Sequence, residues 1–200
     1  MTALLVVLYI INYGDKAAFG IIAQSLKDEL SMSAAQIGLV GSLFFFAFTV
    51  GGFFAGALNK WLSLRTVLFV LAIVWAFAML PLVFAASVGV LMVSRFVLGL
   101  AEGPSSALIH TAAYSWHEPE KRGFPSALLS GAASVSKIAL APLLAWIAYS
   151  FGWRSALIFM SVIGIVWCFI WLRTWQVGPY LPGKATSENA GSQAEEPRVP

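Results

Sequence analysis

Charge is what this sequence has least of: Asp, Glu, Lys and Arg make up 10% of its 200 residues, against roughly a quarter in a soluble domain. So few ionic groups cannot cover a water-exposed surface, which excludes an ordinary soluble enzyme or binding domain. Cysteine is nearly absent too. The single Cys168 allows no disulfide framework and lies in an apolar run, where its simplest use is packing. Clustered positive charge is missing: the net +3 and pI near 9.2 come from Lys and Arg scattered singly, which excludes a nucleic-acid surface. The only histidines, His110 and His117, have no third ligand at metal spacing, so no metal site is expected.

What the chain has is apolar length. Hydrophobic residues make up 60% and aromatic residues 14% of it, and its uncharged stretches run about 20 residues, enough for a helix to cross the hydrocarbon of a bilayer. Breaks at charges, Pro, Gly and capping residues predict an all-α membrane protein with helices over 3–25, 34–58, 65–86, 88–113, 124–149 and 154–176. Ser33 and Gln36 stand three apart, the spacing of a capping box, at the start of the second. The transmembrane domain thus covers 1–177. From 178 to 200 the chain is rich in Pro, Gly, Ser, Ala and Glu, a composition expected to form a flexible cytoplasmic tail or the start of a linker.

Positive residues accumulate on the cytoplasmic side. With the N-terminus inside, Lys60, Arg65, Lys121, Arg122, Arg173, Lys184 and Arg198 are cytoplasmic, while Lys27 and Arg154 are outside. Both termini are therefore expected in the cytoplasm of a multi-pass protein of the cell (inner) membrane. The first apolar run is interrupted by Asp15 and Lys16 and lacks a basic flank, so it is no cleavable signal peptide; a leading tail is expected to be missing.

Ionisable groups also occur inside the expected helices: Asp15 and Lys16 in the first, Arg95 and Glu102 in the fourth, Lys137 in the fifth. Each costs a few kcal/mol against lipid by insertion scales, so such groups face a protein interior or a water-filled cavity. Asp15, Lys16, Glu102 and Lys137 all fall near mid-depth. Arg95, Gly99, Glu102, Ser106 and His110 recur at helical spacing and form one stripe. Pro104 removes the hydrogen bond to the Leu100 carbonyl and is expected to kink the helix beside Glu102. Asp15 and Lys16, being adjacent, point about 100° apart. Asp15 is the expected cavity group, Lys16 joining it only if its stem bends. Three cations against two carboxylates favour an anionic ligand, and more so once the carboxylates are protonated. Asp15 and Glu102 are thus candidate proton-coupling residues, with Lys16, Arg95 and Lys137 as candidate anion-binding partners.

Four pieces resemble a known family. Asn12-Tyr13-Gly14-Asp15-Lys16 is similar to an Asn-Tyr-x-Asp-Arg motif, and Arg95-x-x-x-Gly99-x-x-Glu102-Gly103 to a fourth-helix motif. Trp116 to Arg122 is similar to a Trp-Phe-Pro-x-x-Glu-Arg loop, and Gly152-Trp153-Arg154 to the turn into a sixth helix. These motifs belong to the major facilitator superfamily, and within it to the anion:cation symporters of organic acids. The resemblance implies twelve helices in two halves around a central cavity, of which this chain would supply the N-terminal six, the C-terminal half being a missing partner. It implies proton coupling at Asp15 and Glu102, and anion binding or gating at Lys16 and Arg95 with Asn12 and Tyr13 beside them. Gating or loop roles are implied for Lys60, Arg65, Glu120 and Arg122. Lys16 departs from the family's arginine and loses a planar bidentate donor. The 56–65 loop lacks the usual acid, and the fifth helix has Lys137 but no Gly-x-x-x-Gly-Pro signature of drug antiporters. The last two differences point to anion uptake.

Other features carry less. Gly178 to Ala185 nearly spells a P-loop, but two prolines, no hydroxyl at Ala185 and no preceding strand exclude phosphate binding. Gly52 and Gly56 make a small-x-x-x-small pair, expected at a close helix contact. Trp61, Trp116, Trp146, Trp153 and Trp175 fall near helix ends, where indoles anchor at the interface, and Arg154 is expected to be structural. A membrane enzyme using Glu102 and His110 as acid and base is disfavoured, since eight residues separate them by about 12 Å of helix. The other alternative is a non-transporting six-helix fragment. The reading is a secondary transporter half with no cofactor, moving a small organic anion, such as a sugar acid or aromatic carboxylate, with H+ across the lipid bilayer.

Overall fold

A computed structural model describes residues 1–180; the expected tail beyond Tyr180, with the rest of the near-P-loop, lies outside them. Six helices, counted over the described residues, are long and apolar enough to cross a membrane: α1 (Thr2–Glu29), α2 (Ala34–Phe53), α3 (Leu64–Phe84), α4 (Val88–Tyr114), α5 (Pro119–Phe151) and α6 (Trp153–Thr174). Among the described residues there is no strand. The capping box forms, with the Gln36 amide donating to Ser33 Oγ at 3.2 Å and the Ser33 amide to Gln36 Oε1 at 2.8 Å. α1 runs past the expected end at 25, because Gln24 reaches Asp28 in the next turn at 2.8 Å and keeps the helix polar and closed there. α2 stops short of 58: Phe54 breaks it, and a separate short helix, Ala55–Trp61, follows.

Proline punctuates the rest. Pro81 opens the last short segment of α3, and Pro104 splits α4 after Glu102, so the expected break lies beside the carboxylate. In α5, Ser136–Leu140 form a π-helical turn just before Pro142, and that turn packs on α1, where Leu140 presses on Gly14.

α2 lies along the first half of α4, α3 along α6, and α1 between α5 and α6. Glycine allows the first contact. A Cβ on Gly99 would strike the Phe44 carbonyl, one on Gly103 the Phe48 carbonyl, and one on Gly51 the Leu100 carbonyl that Pro104 has deprived of its donor. The expected Gly52–Gly56 pair is therefore replaced by Gly51 and Gly52 facing α4, while Gly56 borders open space.

Side chains tie the bundle at both ends. At one, Glu29 accepts from Trp153 Nε1 at 2.9 Å and from Arg154 at 2.5 and 3.0 Å, and Arg154 Nε also reaches the Val83 carbonyl. Trp153 is buried there, not an exposed interfacial anchor. At the other, Trp171 Nε1 donates to the Arg65 carbonyl and Arg65 to the Leu172 carbonyl, both at 3.0 Å. In the spanning window of α1 56% of residues are buried, but only 22% in α2 and 28% in α5, so these two helices leave the widest faces uncovered.

Candidate functional site

α1, α2 and α4 enclose a 510 Å³ cleft lined by Asn12, Tyr13, Lys16, Phe48 and Ser106, with Tyr9 and His110 at one end. Tyr9, Asn12, Tyr13 and Lys16 follow one another at three- and four-residue steps, so a single face of α1 supplies them. Gly103 lets α2 approach α4 and brings Phe48 to the wall.

The Lys16 ammonium lies 2.6 Å from Glu102 Oε2, and the glutamate is fully buried. Neither Glu102 oxygen meets hydrogen-bond geometry; charge attraction across a close, misdirected contact holds the pair. Lys16 also donates to Asn12 Oδ1 at 2.5 Å, and its charge faces the rings of Tyr13 and Phe48 at 5.1 and 5.3 Å. The buried Asn12 Nδ2 has no partner among the described residues.

Behind the cleft, the Arg95 guanidinium is clamped between Phe19 and Phe44, 4.2 and 4.1 Å from their centroids, with Nε and Nη1 unpaired among the described residues. Asp15 is buried within electrostatic reach of Glu102, Lys16 and Arg95. The structure thus gathers four of the five intramembrane charges, with their places exchanged relative to expectation. Lys16, not Asp15, lines the cleft, because it shares the α1 face of Tyr9, Asn12 and Tyr13; Arg95 is held away from the lining between its two rings.

Lys137 does not join the group. It is exposed in the π-helical turn of α5, without an ion pair among the described residues. On its flank stand Gly123, Ser126, Ser130, Ala133 and Ser134, all small and none fully buried. The loop candidates also stay apart from the cleft. Lys60 and Glu120 are exposed, Arg65 binds α6, and Arg122 lies 5.7 Å from the Tyr114 ring. Sequence reading missed Tyr9 and the aromatic clamp of Arg95. The helical spacing of Tyr9 to Asn12, Tyr13 and Lys16 carried the first signal, whereas Phe19 and Phe44 sit on different helices and carried none.

Glu102 and His110 do not form an acid–base pair: Glu102 faces Lys16, and His110 Nδ1 lies 2.8 Å from the Ser106 carbonyl.

Residues 5–199 match the model of the Major Facilitator Superfamily. The chain is 27% identical over 164 residues to the hexuronate transporter of Bacillus subtilis, covering 82% of this chain and 39% of the relative. It is 30% identical over 170 residues to the probable galactarate/D-glucarate transporter GudP of the same organism, covering 82% and 37%. The chain therefore spans about two fifths of the curated relatives it matches. These relatives are transporters, not enzymes. Among solved structures, a bacterial homolog of the human lysosomal transporter Spinster superposes with a TM-score of 0.80 at 19% identity, covering 95% of this chain and 46% of that one. The proton:xylose symporter XylE gives 0.80 at 14%, covering 96% and 51%.

Proposed function

The chain belongs to the Major Facilitator Superfamily and is a multi-pass membrane protein, and on that premise we propose that it forms one six-helix half of a proton-coupled symporter for small organic anions, sugar acids foremost. The observation that carries this reading is the Lys16–Glu102 pair, in which the ammonium lines a cleft and the carboxylate is fully buried behind it. While Glu102 is ionised it holds Lys16. A proton on Glu102 cancels that attraction and frees the ammonium for a ligand carboxylate, so proton and anion favour each other's binding. Asn12 Nδ2, buried and unpaired, supplies a second donor to the same carboxylate. Asp15 extends the proton site, and Arg95, clamped behind it, keeps the local field positive when both acids are neutral. Lys137 on α5 adds a further cation toward the central cavity. Hexuronate and galactarate/D-glucarate in the names of relatives supply the substrate class.

The second half lies across the uncovered faces of α2 and α5. Lys60 and Arg65, where the chain passes from α2 to α3, and Glu120 and Arg122, at the start of α5, act in gating against it. Lys60, Arg65, Lys121, Arg122 and Arg173 at one end, against Lys27 and Arg154 at the other, support cytoplasmic termini in the cell membrane, with 178–200 leading into a cytoplasmic linker. The test is uptake of labelled glucuronate into proteoliposomes by the chain assembled with a second six-helix half, under an inward proton gradient. Loss in both Lys16→Gln and Glu102→Gln is expected; gradient-driven uptake that survives Glu102→Gln removes the proton assignment.

A further inference from the structure

Lys16 lines one end of the cleft with Glu102 buried behind it, and a separate polar cluster lines the other. Tyr9 stands seven residues before Lys16 on α1, and Ser106 and His110 stand four and eight after Glu102 on α4. The Tyr9 and Ser106 hydroxyl oxygens are 2.9 Å apart, and the His110 ring meets Tyr9 edge-on at 5.8 Å. His110 Nδ1 lies 2.8 Å from the Ser106 carbonyl. A ring nitrogen against a carbonyl must carry the proton, so in the neutral imidazole Nε2 is left as an acceptor. Between Tyr9 and Ser106 one hydroxyl donates to the other, and the second keeps its own hydrogen to give.

The cluster therefore offers one spare O–H donor and one spare nitrogen acceptor on side chains that line the same cleft. An alcohol, which donates and accepts through one oxygen, satisfies both. A methyl or methylene group satisfies neither and strips water from all three side chains. Seven residues of helix separate this cluster from Lys16 by about 10 Å, and Tyr13, Phe48 and Ala107 also line the cleft, surfaces suited to the C–H groups of a carbon chain.

We infer that Tyr9, Ser106 and His110 read a hydroxyl group remote from the carboxylate held by Lys16, so that the cleft selects polyhydroxylated acids over deoxygenated acids of equal length. The inference rests on Lys16 being the anion contact. Binding of D-gluconate and of hexanoate, which share a carbon count and differ in their hydroxyls, is measured on the whole chain in lipid nanodiscs. The chain should prefer gluconate about tenfold. Tyr9→Phe and Ser106→Ala should each weaken gluconate about five- to tenfold and leave hexanoate unchanged, while Lys16→Gln weakens both. Equal affinity of the unaltered chain for the two acids overturns the hydroxyl reader yet spares the anion site. Equal weakening of both acids in Tyr9→Phe and Ser106→Ala reduces the cluster to scaffolding and overturns it too. Absence of binding of either acid defeats the anion site itself, and this inference with it.

Discussion

Lys16 and Glu102 form an unequal pair: 2.6 Å separates nitrogen from oxygen, yet 23% of the lysine side chain is exposed and none of the glutamate's. The ammonium can swing into the cleft, and the carboxylate cannot follow. Replacing Glu102 with Gln keeps the shape and removes the competing charge. Gluconate affinity of the Glu102→Gln chain at neutral pH should rise about tenfold, one ordinary charge-pair contribution. The rise in affinity expected of the unaltered chain on acidification should vanish. Calorimetric titration between pH 5 and 8 checks both, and an unchanged pH profile would show that another group binds the coupling proton.

The α2–α4 contact tolerates no side chain at Gly51, Gly99 or Gly103. An alanine Cβ at Gly99 or Gly103 meets backbone carbonyls of Phe44 or Phe48, which cannot rotate away as a side-chain end could. Gly99→Ala and Gly103→Ala should each cost about 1–3 kcal/mol, the ordinary penalty of overpacking. Gly56→Ala, with open space around it, should cost nothing and gain slightly from helix propensity. Thermal unfolding in detergent separates the three; a melt of Gly103→Ala matching that of Gly56→Ala would refute the tight contact.

How far the sequence foretold this arrangement differs from feature to feature. The six spans were legible because apolar length and charge position are local properties, and the capping box and the Pro104 break are local chemistry as well. That Asp15, Lys16 and Glu102 share one level was legible from depth, since helices of known direction bring mid-span residues together, and Arg95 was legible only through its helical spacing to Glu102. Which of them faces the cleft was not: adjacent residues differ by about 100°, and only the neighbours of α1 decide that Asp15 turns inward while the longer Lys16 reaches the opening. The clamp on Arg95 was illegible because Phe19 and Phe44 come from two other helices. That Lys137 stands apart from the group was illegible for a related reason, since the π-helical turn and the flank it occupies depend on how α5 packs against Gly14.

After α6 the chain returns to α4. The Tyr180 amide donates to the Ser115 carbonyl at 2.9 Å and its hydroxyl to Glu118 at 3.2 Å, while Gly178 packs where any Cβ would strike Ser115. The hydrogen bond and charge of Lys121, then the Tyr180 hydroxyl, hold the Glu118 carboxyl below its ordinary value of 4.5. A carboxyl depressed by folding contributes above its ordinary value, and that contribution is lost as pH falls through the depressed one. Protection of the Tyr180 amide against deuterium exchange, corrected for intrinsic rate, should therefore hold at neutral pH and fall once pH drops below 4.5. In Glu118→Gln the protection should be weaker and flat with pH; an unaltered acid limb would place the titrating group elsewhere.

Lys137 presents the opposite case from Arg95, a cation near the middle of a spanning helix with neither an aromatic clamp nor a carboxylate among the described residues. Facing lipid, it would cost roughly 2.5–3.5 kcal/mol by insertion scales, and the small, partly hydroxylated flank around it would be equally misplaced. Facing a water-filled cavity, the same flank keeps the walls thin and wet while the charge attracts an anion. The two situations respond oppositely to one substitution. Lys137→Gln should leave the melting temperature unchanged and weaken gluconate binding several-fold, most strongly at low salt, where a charge acting across water is least screened. A higher melting temperature with undiminished affinity would mean that the lysine faces hydrocarbon, and that α5 contributes nothing to the anion path.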